Sequence, residues 1–409
     1  MRVLHTADWH LGDRLGRINR TDHLRRGVER IAAYLEAERV AVLLIAGDLF
    51  SERCGADGLR EATDHLRRTF GPFLRRGGTI LALTGNHDHE GFCQTLAHAF
   101  ELVAPAPAAD GDLVAPGRFH LAVGPTFLRL ADRPGSGEEV QFVLMPYPTP
   151  MRYLDGATRF PGLEQKNRAL QSAYLAKLAA IRADPAFRRD LPSVLAAHIH
   201  VHGAELSTPT AFRMSEAESI VIPASDVPVD WDYVALGHIH KPQALSGVPH
   251  VRYSGSIERL DLGERHDRKG CVLFEIGPDG LVDPPEVLPL ESTPITRVVI
   301  ADPKLDLPRL REQHPEPSPA LVRYELTYTP GVDDLDSVLD EVNAIFPHWY
   351  DRECRSAHEP DASAPDAPPM ARRGLHETVV EYLESKLADQ PDRDDVLAMA
   401  RAFLAEDAP

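Results

Sequence analysis

Short apolar segments rich in Val, Ile and Leu recur through the first 276 residues and restrict the fold more than any other feature. They are Val3-Leu4, Val40 to Ala46, Thr79 to Thr84, Phe142 to Met145, Val194 to Ala197, Tyr233 to Leu236 and Cys271 to Ile276. Continuous apolar strands are typical of a sheet covered on both faces. Residues 21–38 and 58–70 carry Arg on one face and aliphatic side chains on the other, which predicts amphipathic helices. The pattern therefore predicts an α/β fold.

Five of these segments run directly into polar residues. The residues reached are Asp8 with His10, Asp48, Asn86 with His87 and Asp88, His198, and His238 with His240. In an open α/β sheet, ligands bind at the carboxyl ends of the strands. We therefore expect these side chains to converge on one site, although about 230 positions separate the first from the last.

The chemistry of this set indicates a metal centre. Two carboxylates, one amide oxygen and several imidazoles suit Mn, Fe or Zn, and the absence of thiolates argues against a structural zinc site. Two metals about 3.5–4 Å apart form a clamp for phosphoester displacement, and such a pair needs a bridging carboxylate, a position that suits Asp48. The four cysteines form no CxxC pair, which makes a zinc finger or a disulfide framework an unfavourable interpretation.

The motifs together resemble those of the calcineurin-like metallophosphoesterases. D-x-H, G-D, G-N-H-D, a solitary His and G-H-x-H occur in that order, each after an apolar strand. Four stretches resemble one branch, the nuclease subunits of bacterial SbcCD double-strand-break repair complexes: HTADWHLG at 5–12, AGDLF at 46–50, Ala197-His198 leading to GAELS at 203–207, and YSGSIER at 253–259. The resemblance covers about residues 1–275. It implies a four-layer αββα domain, and the family layout adds a small α/β capping domain and a C-terminal helical tail.

The resemblance also implies roles for individual residues. It places Asp8, His10, Asp48 and His240 on one metal, and Asp48, Asn86, His198 and His238 on the other, so that Asp48 bridges. The implied cofactors are two Mn²⁺ ions, with Mg²⁺ or another divalent ion as alternatives. His87 is implied as a catalytic group that protonates the leaving oxygen or stabilises developing charge. Asp88 is implied as a residue that orients His87 or a neighbouring ligand.

Three histidines alternate at His198, His200 and His202. Spacing alone does not choose among them, because all three would lie on one face of an extended strand. The family pattern, with Ala197 before and Gly203 after, favours His198 as the ligand and leaves His200 and His202 as surface or supporting residues.

The chain beyond the motifs predicts further divisions. We expect a nuclease domain at 1–280, a capping domain at 281–350 with a strand–helix–strand–helix order, and a flexible linker at 351–371. The apolar spacing in residues 372–409 predicts two short amphipathic helices, which either fold back on this chain or dock on a partner. The expected anchors for a partner are Leu375, Val379, Leu383, Leu387 and Phe403.

The net charge of −18 argues at first against a nucleic-acid partner. It is unevenly distributed, because residues 1–275 carry only −2 and residues 276–409 carry −16. We therefore keep Arg14, Arg17 and Arg20, which follow the first motif, as candidate phosphate contacts. An ordinary solvated surface explains these arginines equally well.

The resemblance implies a manganese-dependent DNA exonuclease and endonuclease in break repair, recombination and replication. It implies an SbcC-type ATPase subunit as partner, a homodimer within a heterotetramer, and a cytoplasmic, nucleoid-associated location without a membrane span. One alternative is a metallophosphoesterase for small phosphodiesters or phosphoproteins. A second is a binding module without catalysis.

Overall fold

The computed structural model describes residues 1–103, 109–131, 139–154, 159–206, 220–227, 230–245 and 247–357, together with residues 393, 396, 397 and 399. The chain divides into two compact units, one of residues 1–326 with 336–353 and the other of residues 327–335 with 354–409. Among the helices in the described ranges, none combines the length and the apolar character needed to cross a membrane.

The described ranges contain seven α-helices and twenty-one strands. The helices are α1 (Thr21–Ala37), α2 (Ala56–Arg75), α3 (Glu90–Val103), α4 (Pro150–Tyr153), α5 (Leu163–Ala183), α6 (Pro303–Gln313) and α7 (Leu335–Ile345). The strands are β1 (Arg2–Thr6), β2 (Arg14–Leu15), β3 (Ile18–Asn19), β4 (Val42–Ala46), β5 (Thr79–Leu83), β6 (Leu113–Val114), β7 (Phe119–Ala122), β8 (Thr126–Ala131), β9 (Glu139–Met145), β10 (Ser193–His198), β11 (His200–Val201), β12 (Val221–Ile222), β13 (Tyr233–Gly237), β14 (Gln243–Leu245), β15 (Val248–Tyr253), β16 (Gly270–Gly277), β17 (Gly280–Leu281), β18 (Glu286–Pro289), β19 (Ile295–Ile300), β20 (Leu321–Tyr328) and β21 (Trp349–Ser356).

Two seven-stranded sheets form the centre of the first unit. The first has the order β17-β16-β1-β4-β5-β7, with β18 also paired to β16, and the second has the order β14-β15-β13-β10-β9-β8-β6. Strands β1, β4 and β5 are parallel neighbours, as are β9, β10 and β13. Within each parallel set, the carboxyl ends therefore lie at one edge of the sheet.

Apolar side chains of both sheets pack face to face between them, including Leu44 of β4 and Phe142 of β9. Helices α1, α2 and α3 cover the outer face of the first sheet. Helix α5 covers the second sheet, because Leu170, Tyr174 and Leu178 recur on one of its faces. This four-layer αββα arrangement confirms the predicted fold class.

A smaller three-stranded sheet has the order β19-β20-β21, and α6 and α7 lie between its strands in sequence. The strand–helix–strand–helix order is the one expected for the capping domain. The predicted boundary at 281 is wrong, because β18 pairs with β16 and belongs to the first large sheet.

The predicted start of a linker at residue 351 is also wrong, because β21 continues to Ser356. Its charged residues conceal the strand in the sequence, and they are satisfied across the sheet. Arg323 lies 3.3 Å from Asp351 and 3.6 Å from Glu353. The rest of the linker and the anchors Leu375, Val379, Leu383, Leu387 and Phe403 lie outside the described residues.

Candidate metal centre

The structure brings together all seven side chains that the sequence predicts as metal ligands. The first sheet contributes residues that follow β1 (Asp8 and His10), β4 (Asp48) and β5 (Asn86), and the second contributes the end of β10 (His198) and residues that follow β13 (His238 and His240). Parallel neighbours release their chains at a shared edge, which is why positions so distant in sequence meet.

The backbone at this edge is held in an unusual conformation. Asp8, His10, Asp48 and His238 have φ values of 53°, 46°, 51° and 93°, and among described non-glycine residues only Arg39 shares a positive φ. Left-handed backbone in such residues is strained and concentrates at functional sites. Main-chain hydrogen bonds hold it here, since Asp8 N–H donates to Gly47 O and His10 N–H donates to Asp48 O, both at 3.0 Å.

Asp48 lies at the centre of the donors and is 1% exposed. Its Oδ2 is 3.3 Å from His198 Nε2 and 3.6 Å from His10 Nε2. Ligand atoms of Asp8, Asp48 and His198 lie within 4.8 Å of one another, and those of Asp8, His10 and His240 do the same. Asp8 belongs to both groups. Asp48 belongs to the first group and also lies 3.6 Å from His10 of the second.

Further donors complete the set. Asn86 Oδ1 is 3.0 Å from His198 Nε2 and 2.9 Å from His238 Nδ1. His10 Nε2 and His240 Nε2 face each other at 3.2 Å. Converging oxygen and imidazole donors without a thiolate fit divalent Mn, Mg, Fe or Zn ions, so these residues could hold two such ions.

The electrostatics of the centre are those of closely coupled opposite charges. Burial alone would lower the pKa of His198, but attraction to Asp48 and Asp8 and hydrogen bonds to Asp48 and the Ala46 carbonyl raise it to about 9. Burial would raise the pKa of Asp48, yet the nearby imidazoles of His198, His87 and His10 hold it well below its usual value. Burial raises the pKa of Asp8.

His87 lies beside this centre. Its backbone N–H donates to Asp48 Oδ1 at 2.8 Å, and its ring lies 5.0 Å from the ring of His10. The side chain is 27% exposed, and Nδ1 is 3.4 Å from Glu52 Oε2. The imidazole is therefore accessible at the edge of the donor set. The sequence offered no signal for Glu52.

Asp88 contacts the backbone of the two loops that carry Asp48 and Asn86. The carboxylate is buried and accepts backbone hydrogen bonds from Gly85 and Phe50, both at 2.8 Å, and from Leu49 at 3.3 Å. It ties the loop after β5 to the loop after β4, so its role is positional. Burial, reinforced by the charge of Asp48, raises its pKa to about 6.

The three alternating histidines occupy different environments. His198 ends β10 and faces Asp48, whereas His200 begins β11 in a separate two-stranded sheet. The ring of His200 is 6.3 Å from that of His238, and His202 is exposed. The chain changes sheets between the first two histidines, so His198 and His200 do not lie on one continuous strand.

The three candidate DNA contacts also differ. Arg20 is fully buried, donates to Arg259 O at 2.9 Å and lies 3.5 Å from Glu258, so its assignment as a DNA contact is wrong. Arg17 is exposed but donates to Trp349 O and stacks 4.2 Å from the Trp349 ring centroid. Arg14 is exposed and donates to Arg17 O at 3.1 Å.

Two supporting residues were absent from the sequence prediction. Tyr147 places its ring 5.6 Å from that of His238, and Glu264 Oε1 is 2.9 Å from His240 Nδ1. A weak signal for Glu264 existed, because it follows closely after the quoted stretch at 253–259.

Gly85→Ala should weaken metal binding. A Cβ at this position would lie 2.0 Å from Asp48 Oδ1, so the carboxylate must move. We expect Mn²⁺ affinity, measured by calorimetry, to fall about 10–100-fold. Gly91→Ala is the matched control, since a Cβ there meets nothing within 4 Å. Equal affinity in both variants would contradict the geometry.

Metal binding should release a proton between pH 7 and 9. In the metal-free protein His198 carries a proton below its pKa of about 9, and a ligand nitrogen must be unprotonated. Apparent Mn²⁺ affinity should therefore rise with pH by up to about tenfold per unit and level off above pH 9. Calorimetry under argon in buffers of different ionisation enthalpy measures the release. Affinity that is constant over this range would refute the expectation.

Comparison with known proteins finds chains that are similar to this one. A Rhodobacter capsulatus protein named as the SbcD component of nuclease SbcCD is 28% identical over 284 residues, covering 68% of this chain and 66% of its own length. An Escherichia coli K12 protein of the same name is 25% identical over 362 residues, covering 85% and 83%. These relatives confirm the resemblance to that branch.

A dimetal phosphatase structure from Danio rerio aligns over 71% of this chain and 99% of its own, at 11% identity and a TM-score of 0.41. The family model described as calcineurin-like phosphoesterase matches residues 1–242, and the chain belongs to that family.

Proposed function

We propose that this phosphoesterase is a two-metal DNA phosphodiesterase that degrades double-stranded ends and cleaves single strands or hairpins. The observation that carries the proposal is the convergence of seven oxygen and imidazole side chains on one site, with His198 and His10 beside the buried carboxylate of Asp48. The relatives named as nuclease components support DNA as the substrate. Manganese is the proposed metal, because the mixed oxygen and imidazole donors suit it.

The chain's own residues have separable tasks in this reaction. Two divalent cations at the donor set would ready a water for attack and stabilise the charge of the transition state. Asp48 spans the two groups of donors. His87, whose ring is accessible beside His10, is placed to give a proton to the leaving oxygen or to stabilise its charge. Asp88 keeps the loop of His87 in register with that of Asp48.

Phosphate contacts are proposed at Arg14 and Arg17. Both side chains are exposed and lie on or beside the hairpin of β2 and β3, which follows the His10 motif. The near-neutral charge of residues 1–275 permits such local attraction even though the whole chain is acidic. Arg17 is the more constrained of the two, because Trp349 fixes its guanidinium.

Residues 372–409 are proposed to dock on an ATPase subunit of the SbcC type. The support is the four-residue spacing of Leu375, Val379, Leu383 and Leu387, together with the relatives' names, which describe one part of a complex. A homodimer within a heterotetramer is part of the same proposal. ATP would be used by the partner, because this sequence contains no GxxxxGK[ST] loop.

A nuclease assay tests the substrate and the roles together. With Mn²⁺, the wild type should cleave end-labelled duplex and hairpin DNA, and Asp48→Ala should be inactive. His87→Gln should bind Mn²⁺ normally yet lose about 10²–10⁴-fold in rate. Hydrolysis of bis-p-nitrophenyl phosphate without DNA cleavage would favour the small-substrate alternative. Loss of Mn²⁺ from His87→Gln would make His87 a ligand.

Partner docking has its own test. Deletion of residues 372–409 should leave the intrinsic nuclease rate unchanged and end copurification with the ATPase. Leu383→Asp should weaken the association, because it places a charge in the proposed apolar contact. Glu381→Ala, on the opposite side of the proposed helix, is the control. Continued tight association of the deleted chain would refute the docking role.

A further inference from the structure

His240 is supported differently from His198 and His238. The Nδ1 atom of His198 bonds a backbone carbonyl, and that of His238 faces another proposed ligand, Asn86. His240 instead places Nδ1 at 2.9 Å from Glu264 Oε1 while its Nε2 faces His10 Nε2. A carboxylate on one ring nitrogen holds the tautomer that leaves the other nitrogen free to bind a cation.

The Glu264 carboxylate is itself held in place on its far side. Its Oε2 accepts the Leu260 N–H at 3.1 Å and lies 2.8 Å from the Nζ of Lys269. Both side chains are nearly inaccessible, at 3% and 0% exposure. A carboxylate buried to this degree needs such a partner, because an uncompensated buried charge is strongly destabilising.

Lys269 closes the arrangement by contacting His240 a second time. Its Nζ donates to His240 O at 2.9 Å and lies 3.3 Å from Asp267 Oδ2. The ammonium group therefore holds the backbone of His240 and also the carboxylate that holds its ring. One lysine restricts both the position and the rotation of the imidazole.

The turn that carries Glu264 is fixed by the small sheet. Leu262, two residues earlier, is buried in one apolar cluster with Leu15, Ile295, Leu321 and Tyr350. Three of these residues belong to the sheet of β19, β20 and β21, and Leu15 follows the His10 motif. One short turn therefore packs against the small sheet through Leu262 and contacts His240 through Glu264.

We infer that Glu264, held by Lys269, is a positioning residue for the metal served by Asp8, His10 and His240, and that it does not act on the other metal. The inference rests on the proposed metal centre and not on the identity of the substrate. It assigns a function to a buried ion pair whose members are almost inaccessible to solvent. It also makes the two metals unequal in their dependence on this turn.

Glu264→Gln tests the inference with Mn²⁺ alone. Calorimetry of the full chain should give two sites in the wild type and, in the variant, one site weakened about 10–100-fold and one unchanged. In electron paramagnetic resonance, the wild type should give the signal of two coupled manganese ions. Glu264→Gln should instead give the signal of a single ion, corresponding to one Mn²⁺ per chain. Nuclease activity of the variant should recover at high Mn²⁺, which a misfolded protein would not do.

Glu258→Gln is the matched control. Glu258 is equally buried in the same loop but pairs with Arg20 and Thr293 rather than with a histidine. The Glu258→Gln variant should bind both Mn²⁺ ions with the affinity of the wild type. If it loses one ion as Glu264→Gln does, the effect belongs to any buried carboxylate there and the inference is overturned.

The remaining outcomes are distinct. A folded Glu264→Gln variant with wild-type affinity at both sites overturns the inference and leaves the proposed function standing. A wild type that binds no Mn²⁺ removes the metal centre itself. If Glu264→Gln does not fold, Glu264→Asp decides, because it keeps the charge beside Lys269 but is too short to reach His240 as well. Wild-type affinity in that folded variant overturns the inference.

Discussion

The Asp48 carboxylate is the group on which the rest of the site depends. It is buried at the end of β4, where one oxygen accepts the His87 N–H and the other faces His198 and His10. A carboxylate out of contact with water is costly unless opposite charges surround it. The imidazoles meet that requirement in part, and two divalent cations would meet it more fully. The buried negative charge of Asp48 therefore requires imidazoles or cations to lie beside it.

A hydrogen bond connects the two large sheets at this point, in addition to the packing of their apolar faces. His198, from the second sheet, donates through Nδ1 to Ala46 O of the first sheet at 2.7 Å. Gly47 makes the approach possible, because a Cβ there would lie 2.1 Å from the His198 ring. Strands of separate sheets can thus bring candidate ligands to one site. The left-handed backbone of Asp8 and Asp48 lies at this same junction.

Acidic composition and a phosphate substrate are compatible in this chain for two reasons. Most of the excess acidity lies in residues 276–409, whereas the residues that build the centre belong to a nearly neutral segment. In addition, Asp8 and Asp48 are buried candidate ligands rather than surface charges. Arg20 shows that a basic residue near the metal motif in sequence need not be available to phosphate. Its contacts with Glu258 and Arg259 hold it away from the surface.

The sequence by itself determined the α/β class and the candidate donors, because apolar strands that end in Asp, Asn and His must release those side chains at a shared edge. Only the tertiary structure decided which of three alternating histidines faces Asp48. It alone showed that Asp88 bonds to backbone, that β21 extends to Ser356 and that Glu264 supports His240. The difference is physical. Periodicity and motif order report what each strand delivers, whereas burial, pairing and hydrogen-bond partners depend on distances between segments that are remote in the chain.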